Sequence, residues 1–424
     1  MVVIKLDHIT KIEGHGTLQV KVEEGEVKEV QMKAEEGVRF FEAFVRGRKY
    51  HEVPILTSPI CGICSQAHVL ASISAIERAT GIEPSNQSLE LRELLNIGQY
   101  IQSHNIHLHF LALPDYLGYS DAIQMMDEHA EVVKRALKFK RWASSFCVLL
   151  GGRDMHPICA QVGGFTHLPD KKRLSQMLLA LKELKPDAMK IAELFGSLDY
   201  PEFKKKKNYG SLASDKGYPL IAGDTMIGGM RFKPSEYKDY VVESVKPYSP
   251  SKYSLFKGES FFVGALARLN NNLPRLSDNA KAAIAHSGIK FPSDNTFANN
   301  FAQAVEIVHC VDRGIEIIEN LNLKKEQWDV KNLNPRDGRG VGSVEAPRGT
   351  LYHDYTVNRG LIQAANIITP TAQNLNSIED DVRAFLPAIL EEDEKTVVLE
   401  LEKLIRAYDP CCCSCSVHFM KVKK

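Results

Sequence analysis

A chain of 424 residues, 44% apolar and 25% charged, has the make-up of a globular protein with one large core or two to three smaller ones. Lysine plus arginine equals aspartate plus glutamate at 53 each, so there is no electrostatic case for nucleic acid or an anionic membrane surface. No apolar run reaches the roughly 18 residues of a direct membrane span, and Met1 to His8 lacks the basic and apolar regions of a signal peptide; the cytoplasm is the expected compartment.

Residues 17–34 alternate polar and apolar, with Leu18, Val20 and Val22 on one face, a turn at Glu24-Gly25-Glu26, and Val27, Val30 and Met32 beyond it. That pattern predicts a β-hairpin. Cys61 and Cys64 fall in a Pro/Gly-rich loop, and a helix is predicted over 66–79, where Val69, Leu70, Ile73 and Ile76 recur at helical spacing. Helical patterns follow over 89–113, ended by Pro114, over 125–150, broken by Gly151-Gly152, and over 171–198. Residues 209–263 are rich in Gly, Pro, Tyr and Ser and read as irregular structure with short strands. Residues 299–321 read as helix, Gly338, Gly340 and Gly342 as loop and turn, and 392–408 as a last amphipathic helix stopped by Asp409-Pro410. The fold class is mainly α with a small β element, that is, α+β.

Nine cysteines are unevenly spread. An odd count in a reducing compartment argues against a disulfide framework and for metal or redox chemistry. Cys147, Cys159 and Cys310 stand alone in apolar surroundings and read as small buried hydrophobes. Cys61-Gly62-Ile63-Cys64 and Cys412-Cys413-Ser414-Cys415 are Cys-x-x-Cys pairs. His68 follows the first and His418 the second. Four thiolates suit a structural zinc site, and they suit nickel or iron equally. A site joining both ends of a long chain sits in its middle, which favours a catalytic centre over a local staple. His68 alone reads as a packed core histidine, a thiolate partner or a ligand.

The remaining motifs narrow the choice. Lys11-Ile12-Glu13-Gly14-His15-Gly16, Arg39-Phe40-Phe41-Glu42, Cys61 to His68, Glu345-Ala346-Pro347-Arg348-Gly349 and Asp409-Pro410 with the terminal Cys/His cluster occur in order. Together they resemble the large subunit of nickel–iron hydrogenases, from about residue 6 to 418. Short segments such as Leu113-Pro114-Asp115-Tyr116 resemble the cytoplasmic, cofactor-coupled members, the sulfhydrogenase and NAD(P)-linked types.

The resemblance implies a single domain over 1–418, with a long helical core, and a 419–424 tail of the kind removed by a maturation protease. It implies that four thiolates hold nickel, with Cys61 and Cys412 terminal and Cys64 and Cys415 bridging to an iron that carries carbon monoxide and cyanide. Glu13 would pass the proton onward. Arg348 would stand over the open coordination position, fixed by Asp115 and Asp409. His68 would support the bridging thiolates. Glu42, His418 and a backbone carbonyl around Leu375 would hold magnesium or iron. Electrons would leave through an iron–sulfur small subunit towards flavin- or NAD(P)-binding (diaphorase) subunits or ferredoxin, because this chain has neither a further cysteine set nor a convincing Gly-rich dinucleotide motif.

Two departures stand out. The family spacing Asp-Pro-Cys-x-x-Cys-x-x-His is one residue too long here. Counting from Asp409-Pro410 selects Cys411, counting back from His418 selects Cys412, and the i, i+3 spacing favours Cys412. Pro59 stands where many relatives carry arginine. The rival readings are a non-catalytic respiratory-complex relative, which typically lacks the four cysteines, and a structural zinc protein, which leaves Glu13 and Arg348 unexplained.

Overall fold

The computed structural model describes residues 2–6, 9–34, 37–326 and 335–412. The predicted ligands Cys415 and His418 and the 419–424 tail lie outside the described residues. Alternation folds the N-terminus as expected. Strands Gly16–Glu23 and Glu26–Ala34 pair antiparallel, with Leu18 opposite Met32 and Val20 opposite Val30, and Val2–Leu6 adds to the outer edge. Glu24 and Gly25 turn the chain at φ 52° and 80°, the paired positive values that a tight hairpin needs.

Helices Asn86–Ile106, Ala130–Gly151, Lys171–Gly196 and Ala298–Asn320 form the helical body. Ser85 and Asp170 cap two of them by accepting the amide hydrogens of Ser88 and Arg173. Pro114 does not end the first of these helices. A π turn over His107–Ala112 shifts the hydrogen-bond register, and helix resumes over Leu113–Leu117 with Pro114 in its first turn, where a missing N–H costs little. Among the described residues no helix is long and apolar enough to cross a membrane.

The glycines at 338, 340 and 342 correct the sequence reading. They lie in a strand, Gly338–Ala346, that leads a three-stranded antiparallel sheet with Gly349–Asn358 and Leu361–Ile368. The buried helix Ser65–Thr80 lies against it. A β-carbon on Gly342 would overlap the Ala71 carbonyl, one on Gly340 the Ala75 carbonyl, and one on Gly338 the Ala79 carbonyl. Four helical residues advance ~6 Å and two strand residues ~6.8 Å, so the alanine and glycine series stay in step. Period-2 glycines are read as loop when there is no hydrophobic alternation; here the missing side chains are the packing surface.

The interior also holds neutral histidines. Burial lowers His109 and His309 to about 4. Their folded values lie below the ordinary 6.5, so the unfolded chain binds protons first as pH falls. Their stabilising contribution is present above pH 6.5 and is lost below it, at up to about 1.4 kcal/mol per pH unit for each histidine. We expect the denaturant midpoint to fall between pH 7 and 5.5, and to fall less in a His309→Gln variant. A flat profile would remove these histidines from the stability balance.

Candidate metal centre

Two elements bring the cysteines together. Ser58–Ile60 is a 3₁₀ turn from which Cys61 emerges in extended conformation, and Cys64 occupies the N-cap of helix Ser65–Thr80. The Cys64 sulfur therefore sits at the positive end of a helix, which favours negative charge there. From the other end of the chain, Asp409 reverses direction at φ 49°, and Cys411–Cys412 pairs parallel with Glu13–Gly14. Thr371 fastens this strand: its hydroxyl accepts the Cys411 amide hydrogen at 3.0 Å and donates to the Cys411 carbonyl at 2.9 Å.

The sulfurs of Cys61, Cys64 and Cys411 all lie within 4.8 Å of one another and all three residues are buried. Cys411 Sγ is 3.3 Å from Cys61 Sγ and 4.0 Å from Cys64 Sγ. Cys61 and Cys64 are joined sulfur to sulfur as a disulfide, whereas metal ligation requires the reduced pair. The spacing rule that selects Cys412 is not what the geometry follows. Successive residues of a strand face opposite sides; Cys411 faces the pair, and Cys412 Sγ lies 3.5 Å from where a Gly16 β-carbon would be.

Glu13 stands opposite Cys411 in the parallel register. Its Oε1 lies 3.7 Å from where a Gly62 β-carbon would be, so it reaches the loop between Cys61 and Cys64. Arg348 occupies the two-residue turn Pro347-Arg348 that joins strands Gly338–Ala346 and Gly349–Asn358. Its Nε donates to Asp409 Oδ1 and to the Asp409 carbonyl, both at 3.0 Å, and its Nη2 lies 2.9 Å from Oδ1. Burial disfavours this cation, but the charges of Asp409, Cys411 and Glu13 outweigh it and raise the guanidinium further above its ordinary value. Arg348 is thus a fixed positive charge beside the sulfurs.

Asp115 does not join it. Asp115 pairs with Lys11 and, at 2.6 Å, with Arg406 Nη1. Its place behind Arg348 is taken by Ser103, whose hydroxyl accepts from Nη1 at 3.3 Å. Gln303 supports the other side, donating to Asp409 Oδ2 at 2.9 Å. Thr371, Ser103 and Gln303 carry no sequence signal; each is an ordinary polar residue on a helix. His68 is buried and held by burial down to about 3, so it is neutral, and its Nδ1 lies 3.1 Å from His353 Nε2.

Glu42 stands apart from the cysteines in the contacts it makes. Its Oε1 accepts from Lys252 Nζ and from the Ile367 amide, both at 2.7 Å. Lys252 also reaches Glu243 at 2.7 Å and Asn366 at 2.9 Å. Glu42 thus already has a cationic partner at Oε1. Leu375 is buried within helix Pro370–Phe385.

Comparison with known proteins gives one answer. The sequence profile described as nickel-dependent hydrogenase matches residues 39–136 and 222–418. Sulfhydrogenase 1 subunit alpha of Pyrococcus furiosus is 37% identical over 425 residues, covering 99% of this chain and 98% of that one. Sulfhydrogenase 2 subunit alpha of the same organism is 36% identical, covering 99% and 100%. The crystal structure of an NAD+-reducing nickel–iron hydrogenase in the H2-reduced state superposes with a TM-score of 0.86 at 25% identity, covering 99% of this chain and all of that one.

Proposed function

The chain belongs to the nickel-dependent hydrogenase family, and we propose that Cys61, Cys64 and Cys411, together with Cys415, hold its nickel and iron. The protein is a catalytic large subunit that interconverts dihydrogen with protons and electrons. The observation that carries the assignment of its site is the meeting of three buried sulfurs from opposite ends of the chain beside a locked arginine. The residues fit the group: thiolates are strong donors to soft, redox-active metals. When bound, the nickel–iron group supplies heterolytic cleavage of dihydrogen. Carbon monoxide and cyanide on the iron belong to this proposal.

The protein's own share is proton handling and electrostatics. A thiolate sulfur can accept the proton, and Glu13, opposite Cys411, can take it from there. Arg348 favours negative charge at the cluster without ever giving up its own proton. At the second site, Glu42 with the Leu375 carbonyl and His418 would hold magnesium. Electrons leave to an iron–sulfur small subunit and onward, we propose, to NAD(P) or ferredoxin through flavin- or NAD(P)-binding subunits. The subunit designation of the sulfhydrogenase relatives supports partner subunits, and the name of the NAD+-reducing structural relative supports NAD as an acceptor. A cytoplasmic setting and cleavage of the 419–424 tail by a maturation protease complete the proposal.

Metal analysis with infrared spectroscopy of the purified complex tests the assignment. Nickel and iron with bands of metal-bound carbonyl and cyanide are expected; zinc alone would overturn it. For Glu13→Gln we expect full metal content with hydrogen–deuterium exchange of H2 slowed by about 10²-fold or more, the usual worth of a positioned acid–base group. An unchanged exchange rate would take Glu13 out of the relay.

A further inference from the structure

Arg348 owes its aim to its backbone, and that backbone is gripped from below. The three carbonyls that precede it, those of Glu345, Ala346 and Pro347, are each held by a buried side chain. Asn96 Nδ2 donates to the Glu345 carbonyl at 3.1 Å. Tyr100 Oη donates to the Ala346 carbonyl at 3.1 Å. Arg268 Nη1 donates to the same Ala346 carbonyl at 3.0 Å, and its Nη2 to the Pro347 carbonyl at 2.8 Å.

Arg268 is fully buried, and it spends all five of its donors. Beyond the two carbonyls, Nε and Nη2 form a two-point contact with Glu306 at 2.6 and 2.7 Å, and Nη1 reaches Glu345 Oε2 at 2.9 Å. Glu306 is itself fixed by His104 Nε2 at 2.8 Å and by the Tyr218 hydroxyl at 2.6 Å. Burial would raise the Glu306 carboxyl, yet Arg268 outweighs burial and holds it down to about 2. Glu345 Oε1 accepts from the Leu212 amide at 2.6 Å and from Thr350 Oγ1 at 2.7 Å. The planar guanidinium therefore ties helix Ala298–Asn320, through Glu306, to the hairpin tip that carries Arg348.

We propose that Arg268 is the positioning residue of Arg348: its rigid fork sets the Ala346-Pro347 peptides and so fixes where the Arg348 cation stands relative to the cysteine sulfurs. The inference rests on the hydrogenase reading above. A bare desolvated ion pair would be replaceable. This one reads two backbone carbonyls at the same time, which lysine, with three donors on a flexible stem, cannot reproduce in that geometry.

The test is a double-mutant cycle on the purified complex. Arg268→Lys keeps the buried charge and loses the fork. With nickel content matched to wild type, we expect hydrogen oxidation slower by about 10- to 100-fold, the scale of an ångström misplacement. We also expect the infrared bands of the iron-bound ligands to move in the same direction as in Arg348→Lys. In an Arg348→Lys background, the Arg268→Lys effect should largely vanish. An equal loss in both backgrounds, or unmoved bands, would make Arg268 a general core residue and overturn the proposal. Should Arg268→Lys fail to fold, Tyr100→Phe removes one grip on the Ala346 carbonyl alone. It should show the same direction of band shift and the same coupling to Arg348, and absence of coupling would overturn the proposal. A wild-type complex without nickel would instead sink the hydrogenase reading itself.

Discussion

Serine in place of Cys411 is expected to strip the protein of nickel and of hydrogen turnover, whereas serine in place of Cys412 is expected to leave both close to wild type. The two residues are adjacent in one short strand, so their side chains leave it on opposite sides and only one can meet Cys61 and Cys64. Thr371 decides which, because its hydroxyl bonds both the amide and the carbonyl of Cys411 and so fixes the strand's rotation. A serine hydroxyl at the metal is a harder and far less acidic donor than a thiol, and with one of the thiolates gone the site is incomplete. Nickel stoichiometry and dye-linked hydrogen oxidation of the two variants provide the measurement. The reverse pattern, with loss at Cys412 alone, would return the ligand role to Cys412.

Alanine at Gly14 should be nearly as damaging. Gly14 has φ 80°, and a β-carbon there would fall on the Cys412 carbonyl oxygen. The left-handed backbone alone costs an alanine roughly 1–2 kcal/mol. The overlap is worse, because it is with the main chain of Cys412, next to the Cys411 peptide groups that Thr371 holds. Relief requires the strands Glu13–Gly14 and Cys411–Cys412 to separate, which carries Glu13 away from Cys411 at the same time. We expect Gly14→Ala to lose most of its nickel while its circular dichroism stays near wild type, since the pairing it disturbs is only two residues long on each strand. Gly25→Ala is the control: φ is also 80°, but open space surrounds it, so only the same backbone cost of roughly 1–2 kcal/mol should appear. Equal nickel content in the two variants would refute the claim that the two-strand pairing closes the site.

The sequence was most legible where chemistry or period leaves a mark. The hairpin announced itself by alternation and by Glu24-Gly25, and the helical body by apolar spacing, with ends found within a few residues. Cys61, Cys64, Glu13 and Arg348 stand out in the sequence as an ordered set of motifs, and the fold brings them near one another, whereas Cys415 lies outside the described residues. Three things were not legible. The Gly338–Ala346 strand has glycine where a strand signal would need side chains, because the helix backbone occupies that space. The choice between Cys411 and Cys412 depends on strand rotation, which spacing does not encode. Asp115 reads as an arginine partner and is one, but its arginine is Arg406, with Lys11 beside it. Opposite charges identify candidates for pairing, and only the fold selects among them.

The parallel pairing of Glu13–Gly14 with Cys411–Cys412 has a temporal consequence. A ribosome delivers the first partner long before the second. Until then the helical body can form around Cys61 and Cys64, but the third sulfur does not yet exist. Closing so long a loop costs little more than closing a moderate one, because the entropy grows only logarithmically with length. The arrangement is therefore inexpensive in stability and strict in order. Every translation product that stops short of residue 411 lacks the third sulfur, so the ability to hold nickel reports that synthesis has passed that residue.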